Sequence, residues 1–127
     1  MIDALFNQTN YVAAKKLLDA TVLRHEAIAS NLANIETPNY KRVDVQPAFQ
    51  DQLRQALSSG DASRVASLQP SLGIDQTSIA TGRDGNTVQL EQELLAMNQN
   101  TMAHALETQL ISGSMLRLRT AITGKSV

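Results

Sequence analysis

Apolar and polar positions alternate with a helical period near both ends of the chain. In the first stretch, from about Asn10 to Ile35, residues three and four positions apart share an apolar face. The members of this first seam are Tyr11, Ala14, Leu18, Thr21, His25, Ile28, Leu32 and Ile35. Alternating spacings of three and four are typical of a coiled-coil seam. The pattern therefore predicts a long N-terminal helix that packs against a partner helix.

A second helical pattern runs from about Val88 to Ile122 and carries two apolar rows. Its predicted seam contains Leu90, Leu94, Met97, Thr101, His104, Thr108, Ile111, Met115, Leu118 and Ile122. Its second row contains Leu95, Met102, Leu106, Leu110 and Leu116. Because a two-helix hairpin covers only one row on each helix, the surplus apolar surface predicts further neighbours.

The segment between the two long helices is mixed. Phe49, Leu53 and Leu57 predict a short amphipathic helix that starts near Pro47 and ends by Gly60. The remainder is rich in serine, glycine and proline and has too few apolar residues for an independent core. We expect an irregular connection there, with one short strand pair as an alternative.

The predicted fold class is therefore mainly α. Two long terminal helices form an antiparallel, coiled-coil-like pair, and the short helix and irregular segment connect them. We expect residues 1–36, with a flexible start, to contain the first helix, residues 37–86 the connection, and residues 87–127 the second helix. Together they make one structural domain.

Two local features of the second helix call for explanation. Asn86 can cap its first free N–H groups, and Gln89, three residues on, can complete a capping box. Gly113 lies inside the helix, where glycine costs up to about 1 kcal/mol relative to alanine. Either a neighbouring helix approaches closely there, or the helix bends. We favour close packing at Gly113.

Composition excludes several classes of function. The formal net charge is −1 and there is no dense basic stripe, so nucleic acid is not expected as a main partner. The chain has no cysteine, which excludes disulfides, thiolate metal sites and a cysteine nucleophile. No apolar stretch approaches the roughly 20 residues that span a bilayer. The N-terminus lacks the features of a cleaved signal peptide.

Catalytic groups are sparse. His25 and His104 fall on the predicted seams and lack the helical spacings that bind metals. If the long helices are antiparallel and pair near their midpoints, His25 and His104 could lie close together; the alternative is two ordinary seam histidines. Glu91 and Glu93 are two residues apart and point to different faces of the helix, which argues against paired acid–base chemistry. The sequence thus predicts no enzyme, no metal and no cofactor.

A polar turn ends the first helix. Pro38 excludes helical geometry for its predecessor and presets the first central position of the turn Thr37–Tyr40. Asn39 is the best non-glycine choice for a second central position with positive φ. We therefore predict a tight reversal after Ile35.

This turn resembles the signature of the flagellar axial proteins, the rod, hook and hook-associated family. That signature reads Ser/Ala-Asn-(Asn)-Leu/Ile-Ala-Asn, two variable residues and Thr-Pro-Gly-Tyr-Lys. The matching residues are Ser30, Asn31, Leu32, Ala33, Asn34, Thr37, Pro38, Tyr40 and Lys41. Asn39 departs from the usual glycine.

A second segment, at the start of the C-terminal helix, is similar to the Asp-Gly-Asn-x-Val-x-Leu-x-x-Glu segment of a small proximal rod protein of the same family. The matching residues are Asp84, Gly85, Asn86, Val88, Leu90 and Glu93. Residues 106–113 and 116–122 resemble the end of that protein. The resemblance covers roughly half of the chain.

The resemblance implies a structural subunit of the proximal rod of the bacterial flagellar basal body. Such a subunit polymerises through its terminal helices into the torque-transmitting drive shaft that spans the periplasm. The implied partners are other rod subunits, the hook-basal body adaptor, the MS-ring and the export gate, and no cofactor is implied. Export through the flagellar type III system, without a cleaved signal peptide, is also implied. Ile2, Leu5 and Phe6 could supply its apolar signal, or could simply start a docked helix.

The same resemblance marks candidate contact residues. The subunit-contact loop contains Asn31, Leu32, Asn34, Ile35, Thr37, Pro38, Tyr40 and Lys41. The helix-seam candidates are Leu18, His25, Ile28, Leu94, Met97, His104, Ile111 and Leu118. An alternative function from another class is a cytoplasmic helical adaptor or export chaperone that binds a client helix through the same apolar rows. The two motifs favour the rod subunit.

Overall fold

A computed structural model describes residues 9–124 of the 127-residue chain. The helices are α1 (Thr9–Ala33), α2 (Ala48–Ser59), α3 (Ala62–Ser67) and α4 (Leu90–Thr123). The strands are β1 (Val43–Val45) and β2 (Leu72–Ile74). The predicted mainly α fold with two long terminal helices is confirmed. Ile2, Leu5 and Phe6, the suggested export element, lie outside the described residues.

The long helices α1 and α4 run antiparallel along each other, as predicted. Asn31, near the end of α1, donates from Nδ2 to Glu93 Oε2 at 3.2 Å, near the start of α4. Earlier on α1, the carbonyl oxygen of Thr21 accepts from Asn100 Nδ2 at 2.8 Å, about two turns further along α4. The order of contacts is thus reversed between the two helices.

The face that α4 turns toward α1 is rotated by about one residue from the predicted seam. We define this inner face by eight residues at alternating spacings of four and three: Glu93, Met97, Asn100, His104, Glu107, Ile111, Ser114 and Leu118. It shares Met97, His104, Ile111 and Leu118 with the predicted seam, whereas Leu94 is exposed. Among the polar residues at the remaining inner positions, Glu93 and Asn100 bond with partners outside α4, and apolar periodicity does not reveal such bonds.

The buried face of α1 shows a similar shift. Ala14, Thr21 and Ile28 of the predicted seam are buried, but Leu18 is only half-buried and His25 is exposed. His104 bonds with Thr21, so its partner lies one turn before His25. The suggested contact between His25 and His104 is therefore not among the observed bonds, and His104 bonds with Thr21 instead.

A small apolar core lies on the other side of α1. Ala13 and Ala20 pack there with Phe49, Leu53 and Val65. The small alanine side chains allow α2 and α3 to approach α1 closely, and Val65 is fully buried. The apolar residues of the connection thus complete a core with α1.

The short helix of the connection is confirmed. Pro47 precedes α2, and Gly60 ends it with a left-handed φ of 69°. The following helix, α3, was not predicted, because its six residues are too few for a periodic signal. Its start is stabilised by the Asp61 side chain, which accepts from the N–H groups of Ser63 and Arg64.

The strand-pair alternative is also confirmed. β1 and β2 are antiparallel, with Val43 opposite Ile74 and Val45 opposite Leu72. The pair brings the residues after the polar turn close to the start of α4. Within residues 9–124, no helix has both the length and the apolar character needed to cross a membrane.

Candidate functional site

The polar turn after α1 adopts the conformation that its residues predict. The N–H of Tyr40 donates to the carbonyl of Thr37 at 3.3 Å, which closes the turn around Pro38. Asn39 has a φ of 60°, so the prediction of a left-handed second central position is confirmed. The backbone reverses here and delivers the chain to β1.

The side chain of Asn86 holds this turn from the other end of the sequence. Its Nδ2 donates to the carbonyls of Asn34, Ile35 and Thr37 at 2.9, 3.0 and 2.8 Å. An amide nitrogen carries two hydrogens, so one of them is shared between two acceptors. Its Oδ1 accepts from the N–H of Val88 at 2.7 Å. Asn86 therefore binds the turn that follows α1 through three of the turn's carbonyls.

The prediction that Asn86 caps α4 is consequently wrong. The helix begins at Leu90, and Gln89 occupies the N-cap position without a side-chain cap bond. The physical reason is position, because residues 87–89 precede the helix and the N–H that Asn86 Oδ1 accepts from, that of Val88, lies outside it.

The two sequence motifs run side by side beyond this contact. The N–H of Asn39 donates to the carbonyl of Asp84 at 2.8 Å, and the N–H of Thr87 donates to the carbonyl of Tyr40 at 3.0 Å. The ammonium group of Lys41 donates to the carbonyl of Gly85 at 3.0 Å. Backbone bonds thus join segments more than forty residues apart in sequence.

We call the place where the end of α1, the polar turn, β1 and the start of α4 meet the junction. Asn31 lies at its centre and is fully buried. Its Nδ2 donates to the carbonyl of Val43 at 2.9 Å and to Glu93. Its Oδ1 accepts from the N–H of Val43 at 2.9 Å and from the hydroxyl of Tyr40 at 3.3 Å. The amide therefore connects α1, the turn, β1 and α4.

Arg42 and Glu93 form a buried ion pair beside Asn31. Arg42 donates from Nε to Glu93 Oε1, and its NH1 group donates to Asp44 at 3.1 Å and Asp75 at 2.9 Å. Burial disfavours the charged guanidinium, but the hydrogen bonds and charges of Glu93 and Asp44 outweigh it and raise the pKa of Arg42. The guanidinium remains charged and holds three carboxylates from separate segments.

The surroundings of the Asp75 carboxyl group stabilise its ionised state. Burial alone would raise its pKa, but hydrogen bonds from Ser78 and Thr77, together with Arg42, lower the pKa well below the usual range. Both carboxylate oxygens are thus occupied by donors. Such an arrangement is suited to holding a loop in place.

An open groove of about 560 Å³ lies between the strand pair and α4. The charged residues in its wall, Arg24, Arg42, Asp44 and Asp75, bond with one another. Across residues 9–124, no three His, Asp or Glu side chains are grouped so that they could hold a metal ion. The charged groups here act as structural links.

The opposite face of α4 differs sharply in character. We call its apolar residues the outer row: Leu95, Met102, Leu106, Leu110 and Leu116. All five are exposed, and Met102 reaches 74% exposure. The prediction that this second row exceeds what the hairpin can cover is confirmed.

Gly113 lies on the side of α4 that carries the outer row. A Cβ added there would meet no atom within 4 Å. Close packing against Gly113 therefore does not occur within the described chain. Close packing by another subunit stays a prediction.

Known proteins of similar sequence bear a common name. The chain is 31% identical to the flagellar basal body rod protein FlgB of Borrelia hermsii, over 76% of this chain and 83% of the relative. It is 30% identical to that of Aquifex aeolicus, over 88% and 91%. It is 26% identical to that of Escherichia coli, over 80% and 83%. No family model matches the chain.

The chain belongs to the FlgB family of flagellar basal body rod proteins. In this FlgB sequence, the two motifs that first suggested flagellar axial proteins also meet in space. The exposed members of the predicted subunit-contact loop are Thr37, Pro38 and Lys41. The half-buried members are Leu32, Asn34, Ile35 and Tyr40. Asn31 is buried, so its observed contacts are all within the chain.

Sequence reasoning missed the ion cluster of this FlgB chain. Arg42 directly follows the first motif, and Glu93 ends the second. A basic residue and an acidic residue at equivalent ends of two motifs could have suggested a pair. Asp44 and Asp75, by contrast, carry no motif signal, because their roles depend on the strand pair that brings them to Arg42.

Proposed function

We propose that this chain is a structural subunit of the proximal rod of the bacterial flagellar basal body. In this proposal it polymerises through its terminal helices and helps to form the torque-transmitting drive shaft. Membership of the FlgB family supports the rod. The observation that carries polymerisation is the exposed outer row of α4.

The physical argument starts from the cost of exposed apolar surface. Large apolar patches on soluble proteins usually mark interaction sites. Full burial of an exposed leucine contributes about 1.5–3 kcal/mol, and each leucine of the outer row, about half of which is exposed, would contribute roughly half of that in an assembly. A head-to-tail contact that does not close into a ring generates a helical tube. Close-packed helices then deform little and transmit strain, as a shaft requires.

The location and partners follow from this proposal. The subunit lies in the periplasm-spanning rod, beside other rod subunits, with the hook-basal body adaptor, the MS-ring and the export gate near its base. Its export through the flagellar type III system belongs to the same proposal. Its role is mechanical, with no catalytic step. The exposed residues of the polar turn, such as Pro38 and Lys41, contribute a subunit contact.

The test places a charge in the outer row. Leu106→Asp should abolish motility and incorporation into purified basal bodies when it replaces the native protein in its host. Because Leu106 is 59% exposed, the isolated chain should keep its helical content. Ile79→Asp introduces the same charge at an apolar residue of the connection that is 72% exposed, and serves as the control. Basal bodies that contain normal amounts of Leu106→Asp would contradict the proposal.

The same preparation separates the rod from the adaptor alternative. A rod subunit is recovered with the basal body after the cytoplasm is removed. A cytoplasmic adaptor or chaperone would stay in the soluble fraction, bound to its client. Circular dichroism of the free variants shows whether a loss of incorporation reflects folding.

A further inference from the structure

The inner face of α4 has polar residues at every seventh position. These are Glu93, Asn100, Glu107 and Ser114. One residue further along lies a competing row, in which Leu94 and Met115 are apolar and half-exposed to solvent at 42% and 48%. Apolar burial alone would turn this competing row toward α1. The observed rotation therefore needs another cause.

Asn100 has a specific partner on α1. Its Nδ2 donates to the Thr21 carbonyl, and both residues are buried. The Thr21 hydroxyl donates to the carbonyl of Leu18 at 2.7 Å, so it accepts from His104 Nδ1 at 3.1 Å. One threonine on α1 thus engages two successive inner-face residues of α4.

A second polar contact lies two turns earlier on α4. Glu93 accepts from Asn31 and from Arg42, and all three side chains are buried. A rotation of α4 by one residue would remove Glu93 and leave the guanidinium of Arg42 without its most buried partner. Removing one partner of a buried pair is strongly destabilising.

The polar inner face also carries unsatisfied groups. Asn100 Oδ1 and Glu107 Oε2 are buried without a hydrogen-bond partner in the described chain. Such atoms lower stability, so stability alone does not explain polar residues at these positions. Buried polar residues at seam positions are known to fix the register of paired helices at a cost in stability.

We propose that Glu93, Asn100 and His104 act as register residues, which fix the rotation and the axial position of α4 against α1. Their contacts oppose the turn that would bury Leu94 and Met115 instead. By holding this rotation, they keep the outer row facing away from the chain's own core. The inference concerns the single chain and stands whether or not the chain forms a rod.

The test transposes one amide by one residue without changing composition. The variant Asn100→Thr with Thr101→Asn moves the register group onto the competing row. Because the chain has no cysteine, Val22→Cys and Ala105→Cys allow one spin label on α1 and one on α4 of the full chain. Both positions are exposed. Pulsed dipolar spectroscopy then measures the distance between the labels.

We expect a single narrow distance in the labelled parent, and a shifted distance or a second population in the transposed variant. The matched control, Thr108→Gln with Gln109→Thr, transposes two exposed neighbours and should keep the parent distance. Asn100→Ala removes the register group without adding a large apolar side chain to the inner face, so it decides the question if the transposed variant loses helical content. It should show two distances. An unchanged single distance in Asn100→Ala would overturn the proposal.

Discussion

The two ends of α4 are held in different ways. Near the first end, Glu93 and Asn100 are buried and bond with partners on α1 and in the connection. Toward the other end, Leu118 is buried, whereas Leu106, Leu110 and Leu116 are exposed. One helix therefore begins in a buried, hydrogen-bonded polar junction and ends as a largely uncovered apolar surface.

This contrast separates folding from assembly. The junction is complete within one chain, because motifs from both halves of the sequence satisfy one another there. The distal end of α4 has apolar surface that its own chain does not cover. Substitutions in the junction should therefore change the stability of the free chain, whereas substitutions in the outer row should change association.

The largest effect on the free chain is expected at Glu93. Glu93→Ala leaves the buried guanidinium of Arg42 without a main partner, and should lower the free energy of unfolding by about 3 kcal/mol. Urea denaturation at neutral pH measures this loss. Glu91→Ala, on the exposed side of the same turn, should change stability by less than about 0.5 kcal/mol. Equal effects of both substitutions would refute the distinction between the junction and the surface.

A smaller loss is expected at Asn86. Asn86→Ala removes the donor to three carbonyls of the turn and should cost about 1–3 kcal/mol. Hydrogen exchange of residues 34–42 should become faster, because the turn loses its anchor. Asn98→Ala, at an exposed position of α4, is the control. Slow exchange of the turn in Asn86→Ala would show that backbone bonds alone hold it.

Gly113→Ala tests the distal end of α4, and here the free chain should become more stable rather than less. Because the space around it is open, Gly113→Ala should stabilise the free chain by about 0.5–1 kcal/mol through helix propensity. If another helix approaches Gly113 in the rod, the same variant should enter basal bodies less well than the parent. Thermal unfolding and basal-body composition give the two readings. Normal incorporation would remove the close-packing prediction.

The smallest effect concerns pH. The folded pKa of Asp75 lies below its ordinary value of 3.8, so its stabilisation is present above that pH and is lost as pH falls through the folded pKa. Asp75→Asn should lower stability at neutral pH and flatten this acid limb of the stability curve. Unfolding curves between neutral pH and strong acid measure both changes. A parallel curve for parent and variant would contradict the role of Asp75.

Glu107 should affect the pH dependence of stability in the direction opposite to Asp75. Burial raises its pKa, although the charge of Arg24 partly opposes this, so the folded chain favours the protonated carboxyl. Its favourable contribution is present at low pH and is lost as pH rises past the ordinary value of 4.5. Glu107→Gln should therefore stabilise the chain modestly at neutral pH.

Much of the fold follows from the sequence. Long apolar periods predicted α1 and α4, breakers predicted the bounds of α2, and Pro38 with Asn39 predicted the turn. The rotation of α4 could not be predicted, because Leu94 and Met115 look better suited to a seam than Glu93 and Asn100. Only hydrogen-bond partners from distant parts of the chain make Glu93 and Asn100 favourable on the inner face.

The site was predictable in part for the same reason. Both motifs could be read from the sequence. Asn86 was predicted to cap α4, but it binds the turn after α1 instead. An asparagine before a helix usually caps that helix. Here the helix begins four residues later, and the amide nitrogen of Asn86 bonds with carbonyls of a turn about fifty residues earlier, which no local pattern reveals.

The contact between Asn39 and Gly85 makes the cost of a substitution at one position depend on the residue at the other. A Cβ added to Gly85 would lie 2.5 Å from Asn39 Oδ1, and both residues have positive φ. Alanine at position 85 therefore requires the exposed Asn39 side chain to move, in addition to a backbone cost of about 1–2 kcal/mol. With glycine at position 39 that movement is not needed and the backbone cost alone remains. The two sites are thus energetically coupled.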